Sequence, residues 1–413
     1  MRFSCSFLSL VLLVVVSASA QDLPPVTTPV TTPAAVDAVE PPTEAPAVSP
    51  EVEPVTPEQQ KIIEAYIEAS SKWSDTLIEM KSTAIRYANE DDSSPEAKRR
   101  YYAFRDRARA QMNATFDQAV QLYKARKGDF DAASMMTTTL EYRESHSIYE
   151  NSLEAAELLL ESDLSYPFLY LIAARAAFLD GKYERMMEHY EAFVKANGPE
   201  KLERVDNMLV GMHTIYAPLW EKEQALAAAE TKDDDLPWVR LETTRGPIVL
   251  ELFENQAPNT VANFIQLVES GFYDGTEFYQ VVDDFVAMGG DPVGDGSGTS
   301  GRFVPDEYQH ADARKFFRGY LSMAKVPDPN DKNSYLTDSA SSQFAIALMP
   351  LLRENETQTI FGRVLEGMEV VCTFRRIDPT EKKEKSVQLP PDRILSATVL
   401  RKRDHDYSVN YIK

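Results

Sequence analysis

Two different hydrophobic patterns divide the chain. From residue 57 to residue 231, apolar side chains recur every three or four positions, the spacing that places them on one face of an α-helix. Before the first run, Thr56 and Gln59 can hydrogen-bond reciprocally as a capping box around Pro57. The apolar positions of this run are Ile62, Ile63, Tyr66, Ile67, Trp73, Leu77 and Ile78. The pattern predicts an α-helical domain over residues 57–231.

After Pro237 the apolar residues alternate with polar ones, which is the period of a half-buried β-strand. Twelve of the chain's 16 glycines lie beyond Pro237, as expected where strands are joined by turns. Two strands joined near Arg245 and Gly246 are predicted, and a helix is predicted to begin at Pro258. We therefore expect a second, mainly β domain over residues 238–405, followed by a C-terminal tail over 406–413.

The first 20 residues have the pattern of a secretory signal peptide. Arg2 supplies a positive charge, an apolar run follows, and Ala18-Ser19-Ala20 offers a small-residue cleavage site. The run from Phe7 to Ala20 is too short to cross about 30 Å of hydrocarbon. We expect an exported protein that is periplasmic, envelope-associated or secreted, with no transmembrane helix after cleavage. An uncleaved anchor is the alternative.

Residues 21–56 form a Pro/Thr-rich linker between the signal peptide and the helical domain. Residues 21–57 hold 10 of the chain's 25 prolines and no Gly, Lys, Arg or aromatic residue. Such a composition cannot bury a core. It is typical of a disordered tail or of a semi-rigid polyproline spacer, which would hold the folded part away from a surface.

Charge and residue usage exclude several classes of function. The net charge of −22 argues against binding to nucleic acid, which needs clustered Lys and Arg. With only Cys5 and Cys372, the chain has no disulfide framework. The five histidines lie far apart, so no metal site is predicted, and no cofactor is expected.

Part of the helical domain resembles the tetratricopeptide repeat. Gly181-Lys182-Tyr183 joins two helical patterns, and Tyr183-Glu184 follows Tyr149-Glu150 by 34 residues. The resemblance covers residues 130–200 and is imperfect, because Ser147 occupies the glycine position of the earlier unit. It implies a groove for a protein partner or a spacer, and a generic helical bundle is the alternative.

The second domain carries a series of segments that resemble the cyclophilin family of peptidyl-prolyl cis-trans isomerases. In chain order they are GPIVLELF, APNTVANF, SGFYDGTEF, GGDP, LSMA, SQF and FGRVLEGM. The resemblance implies an eight-stranded antiparallel β-barrel capped by two helices, following the N-terminal all-α domain. It also implies that the clients are proline-containing polypeptides.

The family's catalytic arginine position is occupied by Gln280. Ala345 stands where the family has a phenylalanine of the proline pocket, whereas the pocket aromatic Phe285 is retained. Lys325 replaces an asparagine and either supplies a cation or is an ordinary solvated lysine. The resemblance assigns substrate binding to Phe278, Tyr279, Phe285, Val286, Met288, Ala324, Lys325, Gln343, Ala345, Leu352 and Gln358.

These substitutions predict a weakened enzyme. A neutral Gln280 donor is worth about 1–2 kcal/mol less than a charged one, which corresponds to roughly 5–30-fold in rate. We expect an exported isomerase that assists protein folding at reduced activity. The alternatives are a catalytically degenerate peptide-binding module with a helical partner-binding domain, and an envelope-associated scaffold.

Overall fold

The computed structural model describes residues 55–89, 95–162, 166–230, 235–351, 357–380 and 390–412. The predicted signal peptide, nearly all of the predicted linker, and Leu352 lie outside the described residues. The described chain forms two compact units, one within residues 55–89 and 111–138, the other within 95–110 and 139–412.

The predicted N-terminal helical region is confirmed. The first helix begins at Pro57, and the predicted capping box is present: the Thr56 amide donates to Gln59 Oε1 at 3.0 Å, and the Gln59 amide donates to Thr56 Oγ1 at 3.2 Å. The helices before the sheet are α1 (Pro57–Asn89), α2 (Pro95–Ala125), α3 (Phe130–Glu144), α4 (Leu153–Leu160), α5 (Pro167–Leu179), α6 (Tyr183–Asn197) and α7 (Arg204–Glu230).

The predicted antiparallel β domain is confirmed as well. Eight strands form one curled antiparallel sheet in the order β10-β1-β2-β9-β5-β8-β4-β3, and β6 and β7 form a separate hairpin. The strands are β1 (Trp238–Thr243), β2 (Gly246–Leu252), β3 (Gln280–Val281), β4 (Val286–Gly289), β5 (Tyr320–Met323), β6 (Pro327–Asp328), β7 (Asp331–Tyr335), β8 (Phe344–Ala347), β9 (Ile360–Glu366) and β10 (Ile394–Arg401). Two helices accompany the sheet, α8 (Pro258–Glu269) and α9 (Met368–Val371).

The two ends of the sheet meet. The Gly275 amide donates to the Ile394 carbonyl at 2.8 Å, and the Phe278 amide donates to the Asp392 carbonyl at 2.8 Å. These bonds join the segment before β3 to the segment before β10. The sheet therefore curls around one apolar core, to which α8 contributes Val261, Phe264 and Ile265.

The segment between α3 and α4 packs against the barrel within the larger unit. Ile148 is 8% exposed and belongs to the barrel's hydrophobic core. From α7, Glu223 and Glu230 pair with Arg314, which is fully buried in the barrel. Helices and sheet of this unit therefore share both apolar and ionic contacts.

The predicted C-terminal tail lies against α8. The Gln266 side chain donates to the Tyr407 carbonyl at 2.6 Å, and the Asn410 amide donates to Asn259 Oδ1 at 2.7 Å. In the described part of the chain, no helix has the length and apolar character needed to cross a membrane.

Candidate active site

Cross-strand register places four residues in a row on one face of the sheet. Gln280 on β3 lies opposite Met288 on β4, Met288 lies opposite Ala345 on β8, and Ala345 lies opposite Ser322 on β5. Directly opposed residues point to the same face with Cβ atoms about 4.5–5.5 Å apart. Their neighbours Val281, Ala287, Ile346 and Leu321 lie in the barrel core. The row therefore faces outward; we call these four residues the site row.

Gln280 lies at one end of the site row and is half-buried. Within the described part of the chain, its side-chain amide makes no hydrogen bond. An amide on this face can donate one hydrogen bond to a bound peptide and accept another, but it carries no charge. The next positions along the row, Met288 and Ala345, have no hydrogen-bond donor in their side chains, so the centre of the row is apolar.

Tyr279 and Gln343 form a fixed polar pair beside the row. The Tyr279 hydroxyl donates to Gln343 Oε1 at 2.6 Å and lies 3.8 Å from the Met288 sulfur. The Gln343 amide nitrogen donates to the carbonyls of Gly296 and Gly298 at 3.0 and 2.6 Å. Burial raises the pKa of Tyr279, so this hydroxyl remains a protonated donor. All four contacts hold the Gln343 side chain in one orientation.

The predicted pocket residues Phe285 and Val286 lie where the β3–β4 turn enters β4. Phe285 is half-buried, and its carbonyl accepts a hydrogen bond from the Leu348 amide at 2.8 Å. Val286 lies opposite Ala347, on the same face as Met288, and is 4% exposed. These two residues extend the apolar part of the face beyond the row.

Ser322 and Gln358 occupy the other end of the row. The Ser322 hydroxyl donates to Gln358 Oε1 at 2.9 Å, and both side chains are buried. The half-buried Ala324 follows β5, and its amide donates to the Gln343 carbonyl at 2.9 Å. Sequence reasoning missed Ser322, although its place in the alternating segment LSMA was a usable signal.

Phe278 does not line the site row, contrary to the sequence-based assignment. Its side chain is fully buried, with its ring centre 4.2 Å from that of Phe374 in the barrel core. The strand is interrupted between Glu277 and Gln280, so strict alternation does not apply across Phe278 and Tyr279. Phe278 supports the site from the core side.

Lys325 is not a solvated lysine. Its side chain is 3% exposed, and its ammonium group contacts Asp306 Oδ2 at 2.6 Å and the Thr357 carbonyl at 3.1 Å. The ammonium nitrogen also lies 5.2 Å from the centre of the Tyr308 ring. These contacts satisfy the charge inside the protein, so Lys325 is not free to face a substrate.

The described residues contain no cluster of three or more His, Cys, Asp or Glu side chains able to hold a metal ion. Cys372 is buried, and burial raises the pKa of its thiol to about 11. A thiol with that pKa is protonated near neutral pH and is a poor nucleophile.

Comparison with known proteins identifies the same part of the chain. Residues 238–399 match the family model described as cyclophilin type peptidyl-prolyl cis-trans isomerase/CLD. The chain is 38% identical over 169 residues to "Peptidyl-prolyl cis-trans isomerase-like 1" of Neurospora crassa, covering 40% of this chain and 96% of that protein. It is 37% identical over 164 residues to "Peptidyl-prolyl cis-trans isomerase ppi1" of Schizosaccharomyces pombe, covering 39% of this chain and 98% of that protein.

Among solved structures, the chain is similar to a cyclophilin-type peptidyl-prolyl cis-trans isomerase of Cryptosporidium parvum crystallised in the presence of the dipeptide Ala-Pro. The two are 30% identical, and the match covers 39% of this chain and 98% of that chain, with a TM-score of 0.33.

Proposed function

Because the chain belongs to the cyclophilin-type peptidyl-prolyl cis-trans isomerase family, we propose that its site row binds proline-containing polypeptides and isomerises the X-Pro bond with weakened activity. The barrier to that rotation is about 18–20 kcal/mol, because the C–N bond has partial double-bond character. A donor that binds the twisted amide more tightly than the planar amide lowers this barrier without a covalent step.

One observation carries the reduced activity: an uncharged amide, Gln280, lies at the position where the family resemblance places an arginine. Its side chain is unengaged within the described residues and faces outward beside Met288. It can donate to a prolyl nitrogen, but about 1–2 kcal/mol more weakly than a guanidinium. The corresponding loss of rate is roughly 5–30-fold.

A second candidate function is peptide binding without turnover. Ala345, 5% exposed, takes the place of a ring that would enclose a proline side chain, so the apolar wall is lower at the centre of the row. The pair of Tyr279 and Gln343 still offers polar groups beside it. This combination favours a surface that holds an extended peptide but stabilises the twisted amide poorly.

The test is the exchange rate of a short Ala-Pro peptide, measured by NMR with the full chain. We expect a rate above that of buffer and an increase of about 5–30-fold in Gln280→Arg. The control is Gln309→Arg, which adds the same charge at an exposed position outside the row and should leave the rate unchanged.

A wild-type rate equal to buffer, together with peptide-induced shifts of the row's amide signals, would select the binding module. In that case Gln280→Arg with Ala345→Phe should create turnover. A wild-type rate already equal to that of Gln280→Arg would overturn the proposed weakening.

The proposal includes export and a partner-binding role for the helical domain. Export is supported by the signal-peptide pattern of residues 1–20, and N-terminal sequencing of the exported form should begin near Gln21. The partner-binding role is supported by the antiparallel pair α5 and α6, joined at Gly181. Gly181 has φ +72°, and Ser147, 34 residues earlier, has φ +56°. The two positions therefore share the left-handed turn conformation of a repeated unit.

A further inference from the structure

The turn between β3 and β4 connects the two ends of the candidate site. The Phe285 amide donates to the Val282 carbonyl at 3.2 Å, which closes a tight turn with Asp283 and Asp284 at its centre. Asp284 has φ +49°, a left-handed conformation that costs a non-glycine residue energy and is tolerated best by Asn and Asp. Because the turn separates Gln280 from Phe285, its conformation sets how these two side chains are presented.

A residue outside the barrel contacts this turn. The Tyr149 hydroxyl, from the connector between α3 and α4, donates to Asp284 Oδ1 at 3.4 Å. Tyr149 is fully buried, and burial raises the pKa of its hydroxyl, which remains a donor. Burial also raises the pKa of Asp284, so the turn carboxylate depends on nearby donors to stay ionised.

Tyr149 is held by a buried ionic network of the helical domain. Its hydroxyl accepts a hydrogen bond from Arg175 Nη1 at 3.2 Å. Arg175 is 1% exposed and binds Asp206 through two bonds of 2.8 and 2.9 Å, and Glu203 through one of 2.8 Å. The guanidinium polarises the hydroxyl in the direction of Asp284, because it donates to the same oxygen that donates onward.

The same connector reaches the turn by a second route. Arg318 pairs with Glu150 at 2.6 Å and donates to the Ser147 carbonyl at 2.7 Å. It also donates to the Leu348 carbonyl, and the Leu348 amide donates to the Phe285 carbonyl at 2.8 Å. Both ends of the turn's second half are therefore fixed by contacts that lead back to the connector.

We propose that Tyr149 is a positioning residue for the peptide-binding face: by its bond to Asp284 it fixes the β3–β4 turn, so that the helical domain sets the placement of Gln280 and Phe285. The inference rests on the proposed function for its effect on peptide. Its structural claim, that the connector holds the turn, is independent of turnover.

The experiment compares Tyr149→Phe with Tyr190→Phe in the full chain. Tyr190 is a matched control, because its hydroxyl donates to Asp206 in the same buried network at 3.0 Å. Tyr149→Phe should shift the NMR amide signals of Val282, Asp284 and Phe285 and lower kcat/KM for an Ala-Pro peptide by about two- to tenfold, the rate equivalent of one neutral hydrogen bond. Tyr190→Phe should lower the melting temperature and leave those signals and kcat/KM unchanged.

A second variant tests the bond from the barrel side. Asp284→Gly removes the acceptor while glycine readily adopts the left-handed conformation. It should reproduce the effect of Tyr149→Phe on kcat/KM, and the double variant should show no further loss, since the two changes remove one bond. Additive losses would overturn the proposal, as would unchanged turn signals in Tyr149→Phe.

Failure of the proposed function has a different signature. If the wild-type protein neither binds nor turns over the peptide, the proposed function fails. The turn signals of Tyr149→Phe and Tyr190→Phe still decide whether the connector positions the turn.

Discussion

At the scale of single residues, the site is defined by side-chain character on a retained backbone row. The register Gln280–Met288–Ala345–Ser322 depends only on main-chain pairing, which tolerates many side chains. What the row can do to a peptide depends on its donors and its apolar walls. One charged donor and one ring at two of these positions would alter the chemistry without altering the fold.

Lys325 provides a residue-scale prediction. Lys325→Met should destabilise the protein by about 3–5 kcal/mol, because it leaves Asp306, 9% exposed in its side chain, as an unpaired buried carboxylate. Lys402→Met is the control: its partner Glu269 lies at the surface, where such a pair contributes only about 0–1 kcal/mol. Urea unfolding of both variants measures the difference.

Lys325→Met should leave peptide exchange per folded molecule unchanged. A loss of turnover greater than tenfold with undiminished stability would show instead that Lys325 supplies a cation to the substrate.

At the scale of secondary-structure elements, local patterns predicted what they physically determine. The capping box at Thr56 and Gln59, the strands around Gly246 and the helix at Pro258 follow from short-range hydrogen bonding and alternation. The core position of Phe278 did not, because an interrupted strand ends the alternation that sequence reasoning uses. The connector was equally invisible, since its bond from Tyr149 to Asp284 spans 135 positions and leaves no periodic signal.

The connector also predicts a pH dependence through His146. Burial lowers the pKa of His146 below its usual 6.5, and its Nδ1 lies 2.8 Å from the Tyr142 carbonyl. The unfolded chain therefore takes up a proton near pH 6.5 that the folded chain does not, and stability falls as the pH drops below about 6.5. His146→Gln should reduce the loss of unfolding free energy between pH 7 and pH 5.5.

His405 is the control of opposite sign. A hydrogen bond to Glu254 raises the pKa of His405, so its contribution is present below pH 6.5 and is lost as the pH rises through the raised pKa. His405→Gln should therefore steepen the loss of stability on acidification. Equal slopes for wild type and His146→Gln would contradict the assigned role of His146.

At the scale of the whole molecule, the chain's acidity belongs mainly to the part outside the barrel. Residues 238–413 hold 26 acidic and 20 basic side chains, against 39 and 23 in the rest of the chain. The barrel is thus close to balanced, and long-range repulsion or attraction of clients depends mostly on the N-terminal half. This division was readable from the sequence, because charge counting needs no contacts.

Dependence of the barrel on the helices was not readable from the sequence, and it can be tested by removing them. A fragment of residues 235–413 lacks Ile148 of the barrel core and both carboxylates that pair with the fully buried Arg314. An unpaired buried charge costs about 3–5 kcal/mol. For a domain of this size, that lowers the melting temperature by about 6–20 °C relative to the full chain.

Arg314→Met in the fragment separates the ionic cause from the apolar one. It should recover part of the lost melting temperature, because an apolar side chain of similar length needs no partner there. Arg363→Met is the matched control, since its partner Glu251, at 2.6 Å, is retained in the fragment, and this variant should recover nothing. A fragment that melts at the temperature of the full chain would show that the barrel is stable without the helices. In that event the connector's contacts would serve the placement of the β3–β4 turn rather than the fold.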